Sequence, residues 1–212
     1  MLVEFPKLGM KLNVSQYLLK SDTLSIAWYG VIIAVGMVLA ILFAMRKPKT
    51  FGLIPDNIID VGVFGILGGI VGARIYYVVF SGDAWSFWDI FKIWEGGLGI
   101  YGGIIGAFLV GLLACKLMKI PLRPLLDLAG MGLLIGQAIG RWGNFVNQEA
   151  FGSETSLPWG MSSLATGGVP VHPCFLYESL WCAIGFVLCY LLIKRRRFDG
   201  QIFLFYVFWY GA

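Results

Sequence analysis

Residues 26–45 read IAWYGVIIAVGMVLAILFAM, an apolar run without a single charged side chain. At a rise of about 1.5 Å per residue, a helix of this length spans the roughly 30 Å hydrocarbon core of a bilayer. The run stops at the basic, proline-containing sequence Arg46-Lys47-Pro48-Lys49. It therefore predicts a transmembrane helix that ends in a charged turn.

The composition extends this prediction to the whole chain. Of the 212 residues, 58% are hydrophobic and 13% charged, and the mean hydropathy is +0.81, whereas soluble domains carry about 25% charged residues. Glycines at 65 and 69, and at 68 and 72, indicate faces for tight helix contact. We predict an all-α fold, a multi-pass transmembrane helical bundle forming one integral membrane domain over residues 1–212, with an extracytoplasmic polar segment at 141–173. The predicted helices cover residues 26–45, 57–80, 97–117, 125–140, 175–193 and, incompletely, 201–212.

The basic residues predict the orientation of the chain. Ten of them fall in the loops after the first, third and fifth apolar runs, and five fall on the opposite side. Because cytoplasmic loops carry the excess of Lys and Arg, the richer side is assigned to the cytoplasm. The N-terminus, the 141–173 segment and an interfacial loop with Trp85, Trp88 and Trp94 are then extracytoplasmic.

The last apolar run, residues 201–212, holds only twelve residues. A helix of that length is about 18 Å long and is too short to cross a bilayer. We expect this helix to need further residues and the chain to be truncated at its C-terminus. We also expect the 212-residue form to be inactive or strongly impaired.

Residues 140–152 read GRWGNFVNQEAFG and open the longest polar segment of the chain. The guanidinium of Arg141 offers a planar fork of donors that suits phosphate, and glycine allows a backbone or headgroup to approach closely. Asn144, Asn147 and Glu149 can orient that fork or bind hydroxyl groups. A helix end with an interfacial arginine is the alternative interpretation, but the density of polar groups favours a site for a phosphate-bearing ligand.

Three charged residues elsewhere in the apolar runs also need an explanation. Arg74 is either a side chain that reaches the interface or a second phosphate or carboxylate contact beside Arg141, because a charge facing lipid is costly. Glu178 requires a partner for the same reason. Asp127 is expected to pair with Arg123 near the start of a helix.

The 140–152 stretch resembles the signature of the bacterial prolipoprotein diacylglyceryl transferases, Gly-Arg-x-Gly-Asn-Phe-apolar-Asn-x-Glu-x-x-Gly, at every fixed position. Tyr101 stands where many members of the family have the histidine of a His-Gly-Gly segment. Tyrosine is normally neutral and a poor base, whereas histidine can take up a proton. The shorter segments that resemble the family are Trp28-Tyr29-Gly30, Tyr101-Gly102-Gly103, His172-Pro173 with Leu176-Tyr177-Glu178, and Tyr210-Gly211-Ala212, after which relatives carry an arginine held to be essential.

The resemblance implies an enzyme of the bacterial plasma membrane, a transferase. It implies transfer of the diacylglyceryl group of phosphatidylglycerol to the lipobox cysteine thiol in the signal peptide of a prolipoprotein, giving a thioether and glycerol phosphate. The implied partners are phosphatidylglycerol, that signal peptide and membrane lipids, with no nucleic acid, cofactor or metal. The matched positions make Tyr101 and Arg141 the catalytic candidates. Candidates for substrate binding are Tyr29, Arg74, Gly102, Gly103, Asn144, Asn147, Glu149, Gly152, His172 and Glu178.

Other classes of protein share some of these features. A transporter or channel for an anionic solute would also combine glycine-rich helices with intramembrane arginines, although it would be favoured by inverted repeats, which the sequence does not display. A different lipid enzyme would share the phosphate chemistry without accounting for the whole signature. The four cysteines form no CxxC pair and there is one histidine, so the sequence has no metal-binding spacing.

Overall fold

The computed structural model describes residues 2–21, 25–82, 88, 91 and 97–212. Trp85 and Trp94 of the predicted interfacial loop lie outside the described residues. The chain forms two compact units, one made of residues 1–46 and 127–212 and the other of residues 47–126. All contacts given below lie within one of these units.

Six α-helices account for most of the chain, and five of them are long and apolar enough to cross a membrane within the described residues. This confirms the predicted multi-pass helical membrane fold. Each of the five coincides with an apolar run of the sequence. Such a run forms a helix in lipid because a helix satisfies its own backbone hydrogen bonds. The helices are α1 (Trp28–Arg46), α2 (Pro55–Phe80), α3 (Ile100–Leu117), α4 (Leu122–Asn147), α5 (Cys174–Leu192) and the short α6 (Gln201–Gly211).

Helix α4 differs from its prediction, since it runs from Leu122 to Asn147 and takes in the first seven residues of the predicted polar segment. The prediction ended the helix at Gly140, where the apolar run stops, but the helix continues and its glycines serve as contact points with α1. A Cβ atom at Gly140 would lie 3.3 Å from Ile33, and one at Gly143 would lie 2.8 Å from the Tyr29 ring. The helix therefore continues because its small residues accommodate larger side chains of α1.

A small β-structure in the first unit was not predicted. Strands β1 (Leu2–Phe5), β2 (Met10–Asn13) and β5 (Ser162–Ser163) form an antiparallel sheet in the order β2-β1-β5, and β3 (Tyr17–Lys20) pairs with β4 (Ser25–Ala27). Val3 and Phe5 of β1 pack with Met161 and Phe175 in a buried apolar cluster. The N-terminal residues are thereby attached to the loop that precedes α5.

The partner of Asp127 also differs from the prediction. Its carboxylate lies 3.9 Å from Arg196 and accepts backbone hydrogen bonds from the start of α6, so the expected pair with Arg123 is wrong. The carboxylate is fully buried, and a buried charge needs several donors at once. The first turn of α6 supplies those donors.

Glycines bring α2 and α3 into close contact in the second unit. A Cβ atom at Gly72 would lie 2.4 Å from the carbonyl oxygen of Gly102, and one at Gly106 would lie 2.2 Å from that of Gly68. The predicted helix-contact face at residues 68 and 72 is therefore confirmed. Such contacts hold the two backbones together by close packing, which is the main source of helix association in lipid.

Candidate active site

Arg141 lies in the penultimate turn of α4 between two polar side chains from other helices. Its guanidinium pairs with the carboxylate of Glu178 on α5 and donates a hydrogen bond to the hydroxyl of Tyr210 on α6, at 3.3 Å. The side chains of Arg141 and Glu178 are 26% and 43% exposed. The guanidinium is thus oriented by the protein while part of its surface stays accessible to an anion.

A hydrogen-bond chain next to this ion pair joins α4 to α5. The indole N–H of Trp142 donates to the hydroxyl of Ser179 at 3.2 Å, and that hydroxyl donates to the carbonyl oxygen of Ala138 at 2.7 Å. Trp142 and Ser179 directly follow Arg141 and Glu178 in the sequence. Because they link the two helices, they fix the register in which the arginine meets the carboxylate.

Residues of the 140–152 stretch cap the C-terminal end of α4. The N–H of Glu149 donates to the carbonyl oxygen of Asn144 at 3.0 Å and that of Gln148 donates to Phe145 at 3.1 Å, with Gln148 at φ +54°. These bonds form a Schellman motif with glutamine in the left-handed position that glycine usually takes. Glu149 also accepts hydrogen bonds from the carboxamides of Asn144, at 3.0 Å, and Asn147, at 3.4 Å. The three polar side chains of the signature therefore shape one turn.

Gly152 lies against the segment that leads into α5. Its N–H donates to the carbonyl oxygen of His172 at 2.9 Å, and the N–H of His172 donates to Ser153 at 3.0 Å. A Cβ atom at position 152 would lie 2.8 Å from the sulfur of Cys174 and 2.9 Å from the Cβ of His172. Only glycine allows the two segments to approach this closely.

The side chain of His172 belongs to a second polar cluster in the same unit. Its Nδ1 lies 3.1 Å from the hydroxyl of Tyr177, and the indole N–H of Trp159 donates to that hydroxyl at 2.6 Å. Tyr177 and Trp159 were not among the candidates chosen from the sequence. Tyr177 lies within the segment that resembles the family, so that segment held a signal for it, whereas no motif marked Trp159.

A cavity of about 520 Å³ lies beside both clusters. Its lining includes Glu178 and Tyr210, which both contact Arg141, and Tyr177, which contacts His172. The wall is otherwise formed by Trp181, Cys182 and Ala212. The cavity thus combines one acidic residue and two tyrosines with an apolar wall, and two of these polar residues contact Arg141, as a site for a polar headgroup with apolar tails requires.

Eight of the twelve candidate residues lie in this first unit. Seven of them have polar contacts in the clusters just described, since Arg141 pairs with Glu178, the two asparagines bind Glu149, and the backbone of Gly152 is joined to that of His172. Gly152 is itself adjacent to the turn at the end of α4. Tyr29 packs its ring against Gly143, on the helix that carries Arg141.

The other four candidates, Arg74, Tyr101, Gly102 and Gly103, lie in the second unit. Arg74 is 4% exposed, donates to the carbonyl oxygen of Gly97 at 3.3 Å and lies 5.7 Å from the centre of the Tyr77 ring. Tyr101 is 66% exposed. Gly102 contributes to the contact between α2 and α3, which by itself explains why it has no side chain.

Comparisons with known proteins agree on one family. The sequence matches the family model described as prolipoprotein diacylglyceryl transferase over residues 16–212. It is 40% identical over 193 residues to the phosphatidylglycerol–prolipoprotein diacylglyceryl transferase of Clostridioides difficile, covering 89% of this chain and 75% of the relative. The enzyme of the same name from Bacillus velezensis is 43% identical over 202 residues, covering 89% and 73%. That of Lactiplantibacillus plantarum is 40% identical over 209 residues, covering 91% and 73%.

Proposed function

The chain belongs to the prolipoprotein diacylglyceryl transferase family, and from this membership we propose that it transfers a diacylglyceryl group from phosphatidylglycerol to a prolipoprotein. This reaction is the first step of lipoprotein maturation. The chain is a multi-pass bacterial membrane protein, as the family and its five long apolar helices indicate. We further propose that the acceptor is the lipobox cysteine thiol of the signal peptide.

The reaction forms a carbon–sulfur bond and breaks a carbon–oxygen bond. The thiol loses its proton, and its sulfur attacks the glycerol carbon that carries the phosphate ester. The electron pair of the broken bond leaves on the phosphate oxygen, so that a thioether and glycerol phosphate are formed. Negative charge grows on the leaving oxygen in the transition state, and a fixed cation lowers the energy of that charge.

Arg141 is the cation that we assign to the leaving phosphate. The supporting observation is its fixed and partly exposed guanidinium, which contacts two residues of the cavity wall, Glu178 and Tyr210. The Glu178 carboxylate holds the Arg141 guanidinium in place and neutralises its charge before lipid binds. The phosphate would then bind the guanidinium together with Glu178 or in its place. Because the guanidinium is oriented in advance, little reorganisation is needed when the charge develops.

The turn at the end of α4 is proposed to shape the place of the headgroup. Asn144, Asn147 and Glu149 form its hydrogen-bonded core, and Gly152 lets the following segment pass close to the start of α5. Tyr29 is proposed to support this region from α1, through its contact with α4. These residues act on the headgroup by keeping the Arg141 region in one shape.

The candidates of the second unit are proposed to bind substrate on the strength of the family resemblance. Tyr101 has a largely exposed hydroxyl-bearing ring that can position a substrate by hydrogen bonding. Gly102 and Gly103 would permit close approach at that helix end. Arg74 would have to leave the carbonyl oxygen of Gly97 to reach a phosphate, so we rank it below Arg141.

We propose that the N-terminus and residues 148–173 face the outside of the cell. The motivation is the excess of Lys and Arg in the loops after α1, α3 and α5, since such loops stay in the cytoplasm. Arg141 is then close to the outer surface, where phosphatidylglycerol headgroups and translocated signal peptides meet. Attachment of a membrane-impermeant reagent to a cysteine introduced at Ser156 in intact spheroplasts tests this orientation, and labelling only after lysis would refute it.

The experiment that tests the function combines phosphatidylglycerol and a lipobox peptide in detergent with the purified protein, used in a form as long as its relatives. The expected products are a peptide heavier by one diacylglyceryl group and one equivalent of glycerol phosphate. A peptide with serine in place of the lipobox cysteine is the matched control and should stay unmodified. A folded protein that modifies neither peptide, or that modifies both equally, would contradict the proposed function.

A further inference from the structure

We propose that Tyr177 and His172 together accept the proton of the substrate thiol, a role that rests on the proposed function and deepens it. The sequence left the proton acceptor open, because Tyr101 replaces the histidine that many relatives carry. The pair lies in the same unit as Arg141, and its hydrogen bonds determine the direction in which a proton can move.

The first step in the argument is the direction of the hydrogen bonds. An indole N–H can only donate, so the Tyr177 hydroxyl oxygen must accept from Trp159 at 2.6 Å. The hydroxyl proton is then available for Nδ1 of His172, at 3.1 Å. The proposal assigns the imidazole proton of His172 to Nε2, so that Nδ1 is the acceptor of the Tyr177 hydroxyl proton. The chain runs from Trp159 through Tyr177 to His172 in one direction.

The second step is the location of the Tyr177 hydroxyl. Tyr177 directly precedes Glu178, the partner of Arg141, and both side chains line the same cavity with Tyr210. Tyr177 is 37% exposed, so a thiol in the cavity can reach it. The group that takes the proton thus borders the same space as Glu178 and Tyr210, the two residues that contact Arg141.

The third step is the proton balance. The thiol gives its proton to the Tyr177 oxygen while the Tyr177 hydroxyl proton passes to Nδ1 of His172. An imidazolium is formed, and the sulfur keeps its electron pair for attack on the glycerol carbon. The N–H of Trp159 stabilises negative charge on the Tyr177 oxygen during this passage, since hydrogen bonds to an anion are stronger than those to a neutral group. The imidazolium then returns its proton to solvent or to the released glycerol phosphate.

Other titratable groups border the pair from each neighbouring segment. Glu154 pairs through its backbone with Val171, the residue before His172, and Cys174 and Glu178 lie on the first turns of α5. Glu178 forms an ion pair with Arg141. Among the described residues, the hydroxyl of Tyr177 is the side-chain hydrogen-bond partner of the imidazole.

The test measures kcat/KM as a function of pH for full-length His172→Gln and Tyr177→Phe with phosphatidylglycerol and a lipobox peptide. Below pH 7 we expect each variant to be slower than the wild type by about 10²-fold or more, the usual contribution of general base catalysis. The deficit should shrink as the pH passes the ordinary thiol pKa of about 8.5, because a thiolate needs no base. A peptide with selenocysteine at the lipobox, whose selenol is already ionised at neutral pH, should restore both variants at pH 7.

Controls separate a proton-transfer role from a structural one. Tyr190→Phe removes another exposed hydroxyl of α5 and should leave the profile unchanged. The double variant should be about as slow as either single variant, because the two residues act in one chain. Tyr177→Phe keeps the ring and its packing, so it remains informative if His172→Gln does not fold.

Three outcomes would overturn the inference. They are normal activity of folded His172→Gln, a deficit that is the same at every pH, and a deficit that persists with the selenocysteine peptide. The last two results would assign the pair a positioning role only. Failure of the wild-type protein to form the thioether at any pH would instead contradict the proposed function itself, so the two failures are distinguishable.

Discussion

Asp127 accepts a hydrogen bond from the backbone N–H of Gly200 at 2.8 Å, across 73 residues of sequence. Its other carboxylate oxygen accepts from the N–H of Phe203 at 2.9 Å. Asp127 thus caps the first turn of α6 from a different helix, in the manner of an N-cap residue. Because Tyr210 lies near the other end of α6 and contacts Arg141, this cap also fixes the helix that completes the Arg141 site.

The cap makes Asp127 a determinant of stability. Asp127→Ala would leave two part-buried N–H groups without their acceptor, and each such loss costs about 1–3 kcal/mol. We expect the free energy of unfolding to fall by about 2–4 kcal/mol, and Asp127→Asn, which keeps one acceptor oxygen, to cost less. Thermal unfolding in detergent measures the change. Asp199→Ala removes the more exposed carboxylate that also pairs with Arg196, and an equal effect of this control would contradict the capping role.

Arg141 is expected to be essential for transfer. Arg141→Ala should lower kcat by about 10²–10³-fold or more, because one fixed donor to a developing oxyanion contributes about 3–4 kcal/mol. Arg141→Lys should restore little, since an ammonium group lacks the planar fork of donors that suits a phosphate. The rate of thioether formation measures both effects, and membrane insertion should be intact. Near-normal transfer by either variant would exclude the phosphate role.

Alanine substitution at two glycines of α4 should change the stability of the protein in different ways. At Gly143 a Cβ atom would lie 2.8 Å from the Tyr29 ring, so Gly143→Ala should destabilise by about 1–3 kcal/mol and reduce transfer. A Cβ at Gly136 would meet nothing within 4 Å, so Gly136→Ala should be neutral or stabilising by up to about 1 kcal/mol. Melting temperature and activity are compared for the pair. Equal behaviour of the two variants would show that the contact with Tyr29 is unimportant.

Tyr29 and Tyr101 are exposed tyrosines near the starts of α1 and α3. Each belongs to a short segment that resembles the family. We expect Tyr101→Phe to reduce kcat/KM more than Tyr29→Phe, because the Tyr101 hydroxyl is proposed to position substrate whereas Tyr29 acts through the packing of its ring. Tyr101→His should be tolerated, since it restores the residue of many relatives. Steady-state kinetics with the lipobox peptide give the comparison. A larger effect of Tyr29→Phe would assign the hydroxyl contact to α1 instead.

Local sequence properties determined the membrane-spanning helices and the signature. The apolar run at 26–45 becomes α1 because hydrophobicity against lipid depends on each segment alone. The 140–152 stretch made Arg141 and its neighbours candidates, because phosphate recognition needs particular residue types, which the sequence displays directly. Gly68 and Gly72 marked a helix contact by their spacing, and α3 occupies it.

Tertiary structure decided how the polar groups pair. Arg141 meets Glu178 and Tyr210, and Asp127 meets the start of α6, because those helices are neighbours in space, and no local pattern encodes that arrangement. The end of α4 was predicted at Gly140, where the apolar run stops, but the helix continues to Asn147 because Gly140 and Gly143 pack against α1. Trp159 lies in the loop between α4 and α5, and the path of that loop brings it into the His172 cluster. A buried polar group takes whichever donor or acceptor the fold brings within hydrogen-bond distance, and only the packed chain determines which one that is.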